Sequence, residues 1–263
     1  MTSIGKSIRM ERIINRETKK TIIVPMDHGV TIGPVEGIID LGKTVDAVSK
    51  GGANAVLVHA GLAPQGYRGY GHDVGLILHL SASTQYAPDV NNKVLVNTVQ
   101  NALKMGADAV SVHVNIGAAT EADMLKDLGK VSVECMEWGV PLLAMMYPRG
   151  PSIKSGTDPD AVALVVRVAA ELGADIIKTN YTGDVDSFKR VVKGAMGVPV
   201  IVAGGSKAES DLAFLKTIED AMSAGAAGVA TGRNVFQHKD PEKIVRAISQ
   251  IVNNKKKASE VWK

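Results

Sequence analysis

One turn-and-strand unit recurs along this chain and constrains its fold more than any other feature. In each copy an amphipathic helical pattern ends in a Gly-Ala or Gly-Gly pair, and a short apolar run of small and β-branched residues follows. Glycine in this position caps a helix in the left-handed conformation, and a continuous apolar run suits a strand that is buried on both faces. The four copies occupy residues 51–58, 106–112, 173–178 and 225–230.

Further apolar runs and helical patterns fill the chain between these copies. Strands are also predicted at 21–26, 74–80, 141–146 and 198–203, which brings the total to eight. Helical patterns lie near 35–50, 91–105, 119–138, 158–172, 184–195, 208–224 and 240–253. Strands that alternate with helices imply right-handed parallel crossovers, and eight such units close into an α/β (β/α)8 TIM barrel.

The prediction is a single TIM-barrel domain over residues 1–263 with two additions. An extra N-terminal helix over 4–14 is expected to cover the N-terminal end of the barrel, and residues 60–73 are read as a loop with at most a short helix. An open doubly wound sheet is the competing fold. It would carry Gly-x-Gly-x-x-Gly after the first strand, where this chain has Met26-Asp-His-Gly-Val30 instead.

Charge and composition argue against nucleic acid and membrane partners. The net charge is only +3, 4% of the residues are aromatic, and no basic stretch is interleaved with aromatic residues. Residues 1–20 lack the apolar core of a signal peptide, and no apolar stretch is long enough to span a membrane. Because Cys135 is the sole cysteine, no intrachain disulfide can form, and a cytoplasmic location is expected.

The carboxyl ends of the barrel strands are where an active site is expected. The polar and glycine residues at these ends, in chain order, are Asp27 and His28, His59, His79, His113 and Asn115, Tyr147 and Arg149 (both after the fifth strand), Lys178, Gly204-Gly205-Ser206, and Gly232-Arg233-Asn234. This set predicts the lining of the site.

Lys178 ends the sixth predicted strand, directly after Ile176 and Ile177. An ammonium among apolar neighbours is poorly solvated, so the neutral amine becomes available to attack a carbonyl and form a Schiff base. The alternative is a lysine that reaches from the strand end into water. Asp27 and Tyr147 could transfer the protons that such chemistry needs. Their alternatives are a turn or cap residue for Asp27 and a rim residue for Tyr147.

The loops after the seventh and eighth strands predict a phosphate site. The glycines at 204, 205 and 232 would let backbone N–H groups approach phosphate oxygens, and Arg233 would add a charged donor. The alternative is that these glycines only form tight turns.

Two other functions compete with lysine chemistry. His28, His59, His79 and His113 could converge on a zinc ion in a metal-dependent hydrolase or aldolase, although no His-x-His pair or acidic cluster accompanies them. A non-catalytic barrel that binds a sugar phosphate would use the glycine loops but would leave Lys178 unexplained.

The chain resembles the archaeal-type class I aldolases in blocks that run through nearly its whole length. These blocks are Arg9-Met-Glu-Arg-Ile13, Val24-Pro-Met-Asp-His-Gly29, Gly51-Gly-Ala-Asn-Ala55, Arg68-Gly-Tyr-Gly71, Ser111-Val-His-Val-Asn115, Met145-Met-Tyr-Pro-Arg-Gly150, Lys178-Thr-Asn-Tyr-Thr-Gly-Asp184, Val202-Ala-Gly-Gly205 and Gly232-Arg-Asn234. The second and fifth blocks resemble the transaldolase branch that serves aromatic amino acid biosynthesis. Fructose-1,6-bisphosphate aldolase is the alternative within the family.

The resemblance implies roles for individual residues and for partners. Lys178 would be the Schiff-base lysine, Tyr147 the proton donor and Asp27 the proton acceptor. The substrates would be a phosphorylated keto sugar, 6-deoxy-5-ketofructose 1-phosphate, and an aldehyde acceptor, L-aspartate semialdehyde. No cofactor is implied, and a ring-type homo-oligomer is expected. The implied substrate-binding residues are Asp27, His28, Gly29, Val30, Thr31, Tyr147, Pro148, Arg149, Lys178, Gly204, Gly205, Gly232 and Arg233.

Overall fold

Parallel strands form a closed barrel in this computed structural model, which describes residues 3–66, 73–205 and 207–262. Within those ranges eight strands follow one another around the barrel in chain order, and the last pairs with the first through Thr21 opposite Gly228. They are β1 (Thr21–Pro25), β2 (Ala55–Val58), β3 (Gly75–His79), β4 (Ala109–Ile116), β5 (Leu142–Pro148), β6 (Ile176–Thr179), β7 (Val200–Ala203) and β8 (Gly228–Ala230). The predicted TIM barrel is confirmed.

Helices separate most of these strands, as predicted. They are α1 (Ile4–Ile13), α2 (His28–Ile32), α3 (Leu41–Gly51), α4 (Ala63–Gly66), α5 (Val99–Lys104), α6 (Glu121–Trp138), α7 (Pro159–Glu171), α8 (Val185–Gly194), α9 (Asp211–Ser223), α10 (Arg233–Phe236), α11 (Pro241–Asn254) and α12 (Ala258–Val261). No helix among the described residues is long and apolar enough to cross a bilayer.

Two helices begin several residues later than their sequence patterns predict. The side chain of Asp40 accepts a hydrogen bond from the backbone of Lys43 at the start of α3, and Thr98 does the same for Asn101 at the start of α5. Such caps fix where a helix begins, because they satisfy N–H groups that have no partner within the helix.

Helix α1 covers the N-terminal end of the barrel, as expected from the sequence. Its last residue, Ile13, is fully buried and packs with side chains from the barrel interior. At the other end of α1, the Lys6 ammonium lies 2.9 Å from the carboxylate of Asp175, just before β6. This ion pair fastens the helix to the barrel wall.

Alternation along the strands decides which side chains enter the barrel. On β5, Leu143, Met145 and Tyr147 belong to the interior cluster, whereas Leu142 and Met146 pack outward against the helices. On β6, Ile176 is interior, and Lys178 follows it by two residues on the same face. The strand pleat therefore directs Lys178 into the barrel.

Three features differ from the sequence-based expectations. Strand β5 extends to Pro148, so Tyr147 lies within the strand and not after it. Residues 81–95 form a hairpin, in which Ser81–Ala82 pair with Val94–Leu95 in antiparallel register. The predicted loop over 60–73 contains a 3₁₀ turn, Ala60–Leu62, followed by α4. The rest of that loop, including the Arg68-Gly-Tyr-Gly71 block, lies outside the described residues.

Candidate active site

A cavity of about 270 Å³ opens at the carboxyl ends of the barrel strands. Its lining includes all three residues predicted to be catalytic, Asp27, Tyr147 and Lys178, together with Arg149 and Arg233. Residues separated by more than a hundred positions in sequence thus share one space, as the barrel prediction requires.

Lys178 is enclosed by the barrel. Its register places it opposite Met145 on β5 and Ile201 on β7, and the residue is only 8% exposed. A lysine extending into water from a strand end would be largely exposed. The alternative of a solvated strand-end lysine therefore does not describe this side chain.

Asp27 occupies the cap position of α2, but its side chain makes no capping hydrogen bond. Its carboxylate instead lies 3.6 Å from Nδ1 of His28 and 3.9 Å from Nε2 of His79. Burial raises the pKa of Asp27, but at the acidic pH where this carboxyl titrates the protonated His79 and His28, together with Lys178, outweigh that effect and lower the pKa to about 2. Asp27 is therefore a carboxylate at neutral pH.

Histidines surround that carboxylate and are held neutral by burial. Nδ1 of His79 lies 2.8 Å from the hydroxyl of Ser111, and burial lowers the pKa of His79 to about 4. Burial also lowers the pKa of His28 and of His59, whose ring centroid lies 5.2 Å from that of His79. Among the described residues, no group of three or more His, Cys, Asp or Glu side chains is arranged to hold a metal ion.

Tyr147 is packed between two side chains and is only 4% exposed. The ring of His113 meets it edge-on at a centroid distance of 5.1 Å, and the guanidinium carbon of Arg149 lies 4.4 Å from its centroid. Burial lowers the pKa of His113 well below its ordinary value, and its Nε2 lies 2.9 Å from the side chain of Asn115. Tyr147 is thus an interior residue and not a rim residue.

The loops after β7 and β8 are joined by side-chain contacts. Arg233 donates to the carbonyl oxygen of Gly205 at 3.1 Å, and Asn234 donates to that of Gly204 at 2.8 Å. A side chain at Gly204 would meet Thr231 at 2.2 Å, and one at Gly232 would meet His28 at 2.6 Å, so both positions require glycine. Ser206, predicted for the same loop, lies outside the described residues.

Several predicted residues do not line the cavity themselves. Pro148 faces outward on β5, Val30 lies on the exposed side of α2, and Gly29 shares that short helix. Gly204, Gly205 and Gly232 are not part of the lining either and reach the site through Arg233 and His28. His28 and Thr31 do line it.

The cavity also contains side chains that the strand-end argument missed. Ser81, Ser83 and Lys93 line it from the hairpin, and Ile32 lines it from α2. Lys93 stands in a polar Asn-Asn-Lys segment that reads as an ordinary turn. No local sequence signal identifies it, because the fold of the hairpin over the barrel brings it to the site.

Comparison with known proteins places this geometry among aldolases. A family model described as DeoC/LacD family aldolase matches residues 21–238. A protein of Archaeoglobus fulgidus named 2-amino-3,7-dideoxy-D-threo-hept-6-ulosonate synthase 1 is 47% identical over 98% of this chain and 95% of its own length. A Streptomyces griseus protein named 2-amino-4,5-dihydroxy-6-oxo-7-(phosphonooxy)heptanoate synthase is 42% identical over 95% and 91%.

A solved structure shows the same architecture with the reacting lysine in use. It is an archaeal fructose-1,6-bisphosphate aldolase whose catalytic lysine is covalently bound to the carbinolamine intermediate of the substrate. The TM-score is 0.87 at 33% sequence identity, over 94% of this chain and 99% of that one.

Proposed function

Because this chain belongs to the DeoC/LacD family of aldolases, we propose that it makes 2-amino-3,7-dideoxy-D-threo-hept-6-ulosonate through a Schiff base on Lys178. The donor is 6-deoxy-5-ketofructose 1-phosphate, and the acceptor is L-aspartate semialdehyde. The observation that carries the proposal is the enclosure of Lys178 in one cavity with Asp27 and Tyr147.

Imine formation is the first step. The neutral amine of Lys178 adds to the donor ketone and gives a carbinolamine, which then loses its hydroxyl group as water. The nitrogen must lose a proton, and the departing hydroxyl must gain one. Asp27, ionised at neutral pH and part of the cavity lining, is the base that accepts and returns this proton.

Cleavage of the carbon–carbon bond is the second step. The pair of the cleaved bond forms a double bond between the α-carbon and the iminium carbon, the C=N π pair moves to the nitrogen of Lys178, a hydroxyl proton is removed, and a phosphorylated three-carbon ketoaldehyde departs. The enamine left on Lys178 then attacks the aldehyde carbon of aspartate semialdehyde, whose oxygen takes up a proton. The oxygen of Tyr147 accepts the first proton as a phenolate, and the phenol so formed donates the second. Hydrolysis of the product imine restores Lys178.

Substrate binding is assigned to the cations and glycine loops around these groups. Arg233 and the glycines at 204, 205 and 232 provide an anion site at the ends of β7 and β8 for a donor whose retained half carries a phosphate, such as fructose 1,6-bisphosphate. His28 and Thr31 contribute from α2. Two observations support this assignment. Arg233 and Lys178 line the same cavity, and a hydrogen bond holds Arg233 against Gly205.

A class I fructose-1,6-bisphosphate aldolase is the second candidate. Its support is the fold match to an archaeal enzyme of that activity, together with the cations Lys93, Arg149 and Arg233 in the cavity lining. Both activities start with an imine on Lys178, so they differ in the groups that bind the two ends of the sugar.

Borohydride trapping and a substrate panel test the proposal together. Borohydride added with the donor should inactivate the enzyme and leave a mass adduct on Lys178, and Lys178→Met should prevent the adduct. The panel compares turnover of the ketodeoxysugar phosphate plus aspartate semialdehyde with cleavage of fructose 1,6-bisphosphate. Activity lost to a chelator without any adduct would instead favour the histidine-bound metal.

A further inference from the structure

Two cations line the same side of the cavity without an anionic partner. Lys93 reaches the site from the hairpin, and Arg149 follows β5. Neither forms an ion pair within the part of the chain that the structure describes. The amine of Lys93 donates to the hydroxyl of Ser83 within the hairpin, and Arg149 rests on the ring of Tyr147.

The fold fixes Lys93 in this position. Asn91, two residues before it, accepts a hydrogen bond through its carbonyl from the side chain of Asn115 on β4 at 2.7 Å. On the opposite arm of the hairpin, the backbone of Gln85 donates to Thr31 on α2 at 2.8 Å. Lys93 is therefore held between two elements of the active site.

Electrostatics favours an anion at this place. Burial lowers the pKa of Lys93, and the positive charge of Arg149 lowers it further, whereas Asp27 and Asp89 raise it. Lys93 is half-buried and Arg149 is exposed at the cavity. Their like charges repel each other, and a bound carboxylate or phosphate would relieve that repulsion.

The position of Tyr147 indicates which half of the substrate lies here. Lys178 lies on β6. On one side of it around the barrel are β7 and β8, and Arg233 follows β8; on the other side is β5, which carries Tyr147 and leads to Arg149. In the proposed mechanism Tyr147 handles the hydroxyl proton of the half that departs. That half must therefore lie beside Arg149 and Lys93, and the half retained on Lys178 lies toward Arg233.

The departing and arriving aldehydes must use one place in turn. Each bonds to the same carbon of the enamine and exchanges its oxygen's proton with Tyr147. The departing ketoaldehyde carries the donor's phosphate, and the arriving semialdehyde carries a carboxylate. We propose that Lys93, together with Arg149, binds these anionic groups in succession and so selects the aldehyde half by its charge. This inference rests on the proposed function.

The test separates the aldehyde half from the retained half. Lys93→Gln should raise the KM for L-aspartate semialdehyde roughly 10- to 100-fold, the range of one lost charge-assisted contact. With the methyl ester of the same aldehyde, which lacks the carboxylate charge, wild type and variant should have the same KM. Borohydride trapping of dihydroxyacetone phosphate, which contains no aldehyde half, should proceed at the wild-type rate and shows that the variant is folded.

Two further variants complete the comparison. Lys93→Arg keeps the charge and should retain most of the acceptor affinity, whereas loss in both variants would overturn charge selection. The exposed Lys154, in the loop after β5, supplies the matched control Lys154→Gln, which should leave every KM unchanged. Wild-type turnover with an unchanged acceptor KM in Lys93→Gln would overturn the inference alone. Absence of wild-type turnover with the semialdehyde would overturn the proposed function and this inference with it.

Discussion

The guanidinium carbon of Arg149 lies 4.4 Å from the centroid of the Tyr147 ring, on the strand that neighbours Lys178. A cation over an aromatic face is attracted to the ring electrons. His113 packs against the same ring edge-on. The phenol is thereby held inside the barrel, in the cavity that Lys178 also lines, as the proposed proton transfer during bond cleavage requires.

Removal of the phenol oxygen should separate cleavage from imine formation. We expect Tyr147→Phe to be trapped by borohydride on Lys178 as wild type is, because the imine forms without the phenol. Turnover should fall by about 10² to 10⁴ in kcat. Single-turnover kinetics alongside trapping distinguish the two steps, and near-full turnover of the variant would show that another group moves this proton.

Neutralising Asp27 should act earlier in the reaction. Carbinolamine dehydration needs proton transfer close to the amine, so Asp27→Asn should slow the trapping rate itself. The exposed carboxylate of Asp186 on α8 provides the control Asp186→Asn, which should trap at the normal rate. An adduct that forms at the wild-type rate in Asp27→Asn would transfer the role to a neighbour such as His28.

Arg233→Ala should weaken the binding of donors that carry a phosphate on the half retained by Lys178. For dihydroxyacetone phosphate or fructose 1,6-bisphosphate the loss of binding free energy should be about 1.5 to 3 kcal/mol, because one charge-assisted contact disappears. For 6-deoxy-5-ketofructose 1-phosphate, whose phosphate departs, the loss should be smaller. Arg190→Ala, on the exposed surface of α8, is the control. Equal KM values for wild type and Arg233→Ala with every donor would exclude Arg233 as an anchor.

The buried His79 should make stability depend on pH. An unfolded histidine has a pKa near 6.5, and burial lowers that of His79 to about 4. Between these values the unfolded chain binds more protons, so the stabilising contribution is full above pH 6.5 and is lost as the pH falls toward 4. We expect His79→Gln to reduce the difference in unfolding free energy between pH 7 and pH 4.5 by about 2 to 3 kcal/mol in urea titrations. An unchanged difference would contradict this.

The ion pair between Lys6 and Asp175 should stabilise the barrel from its N-terminal end. Asp175 also accepts the backbone N–H of Leu142 at 2.8 Å, so Lys6→Met would leave a partly buried carboxylate without its cation. We expect a loss of about 2 to 4 kcal/mol in the free energy of unfolding. Lys189→Met, which breaks an exposed pair with Asp186, should cost under about 1 kcal/mol. Equal losses in both variants would show that burial of the pair does not matter.

Local sequence patterns determined the architecture and the positions of the candidate catalytic residues. Glycine caps and continuous apolar runs predicted all eight strands, because both signals depend on residues within a few positions of each other. The predicted strand bounds placed Lys178, Asp27 and Tyr147 at strand ends. A parallel barrel brings those ends together, so the three residues were expected to share one site. The short helices α2 and α10 were missed because four or five residues give too little periodicity to detect.

Tertiary structure alone decided the environment of those residues. The neutral state of His79 depends on burial that no local pattern records, and its ring contacts Ser111, 32 positions away on the next strand. Lys93 enters the site only because the hairpin folds back over the barrel and is fastened to β4 through Asn91 and Asn115. Solvent exclusion, pKa shifts and contacts between charges arise from groups distant in sequence, so they exist only once the barrel has closed.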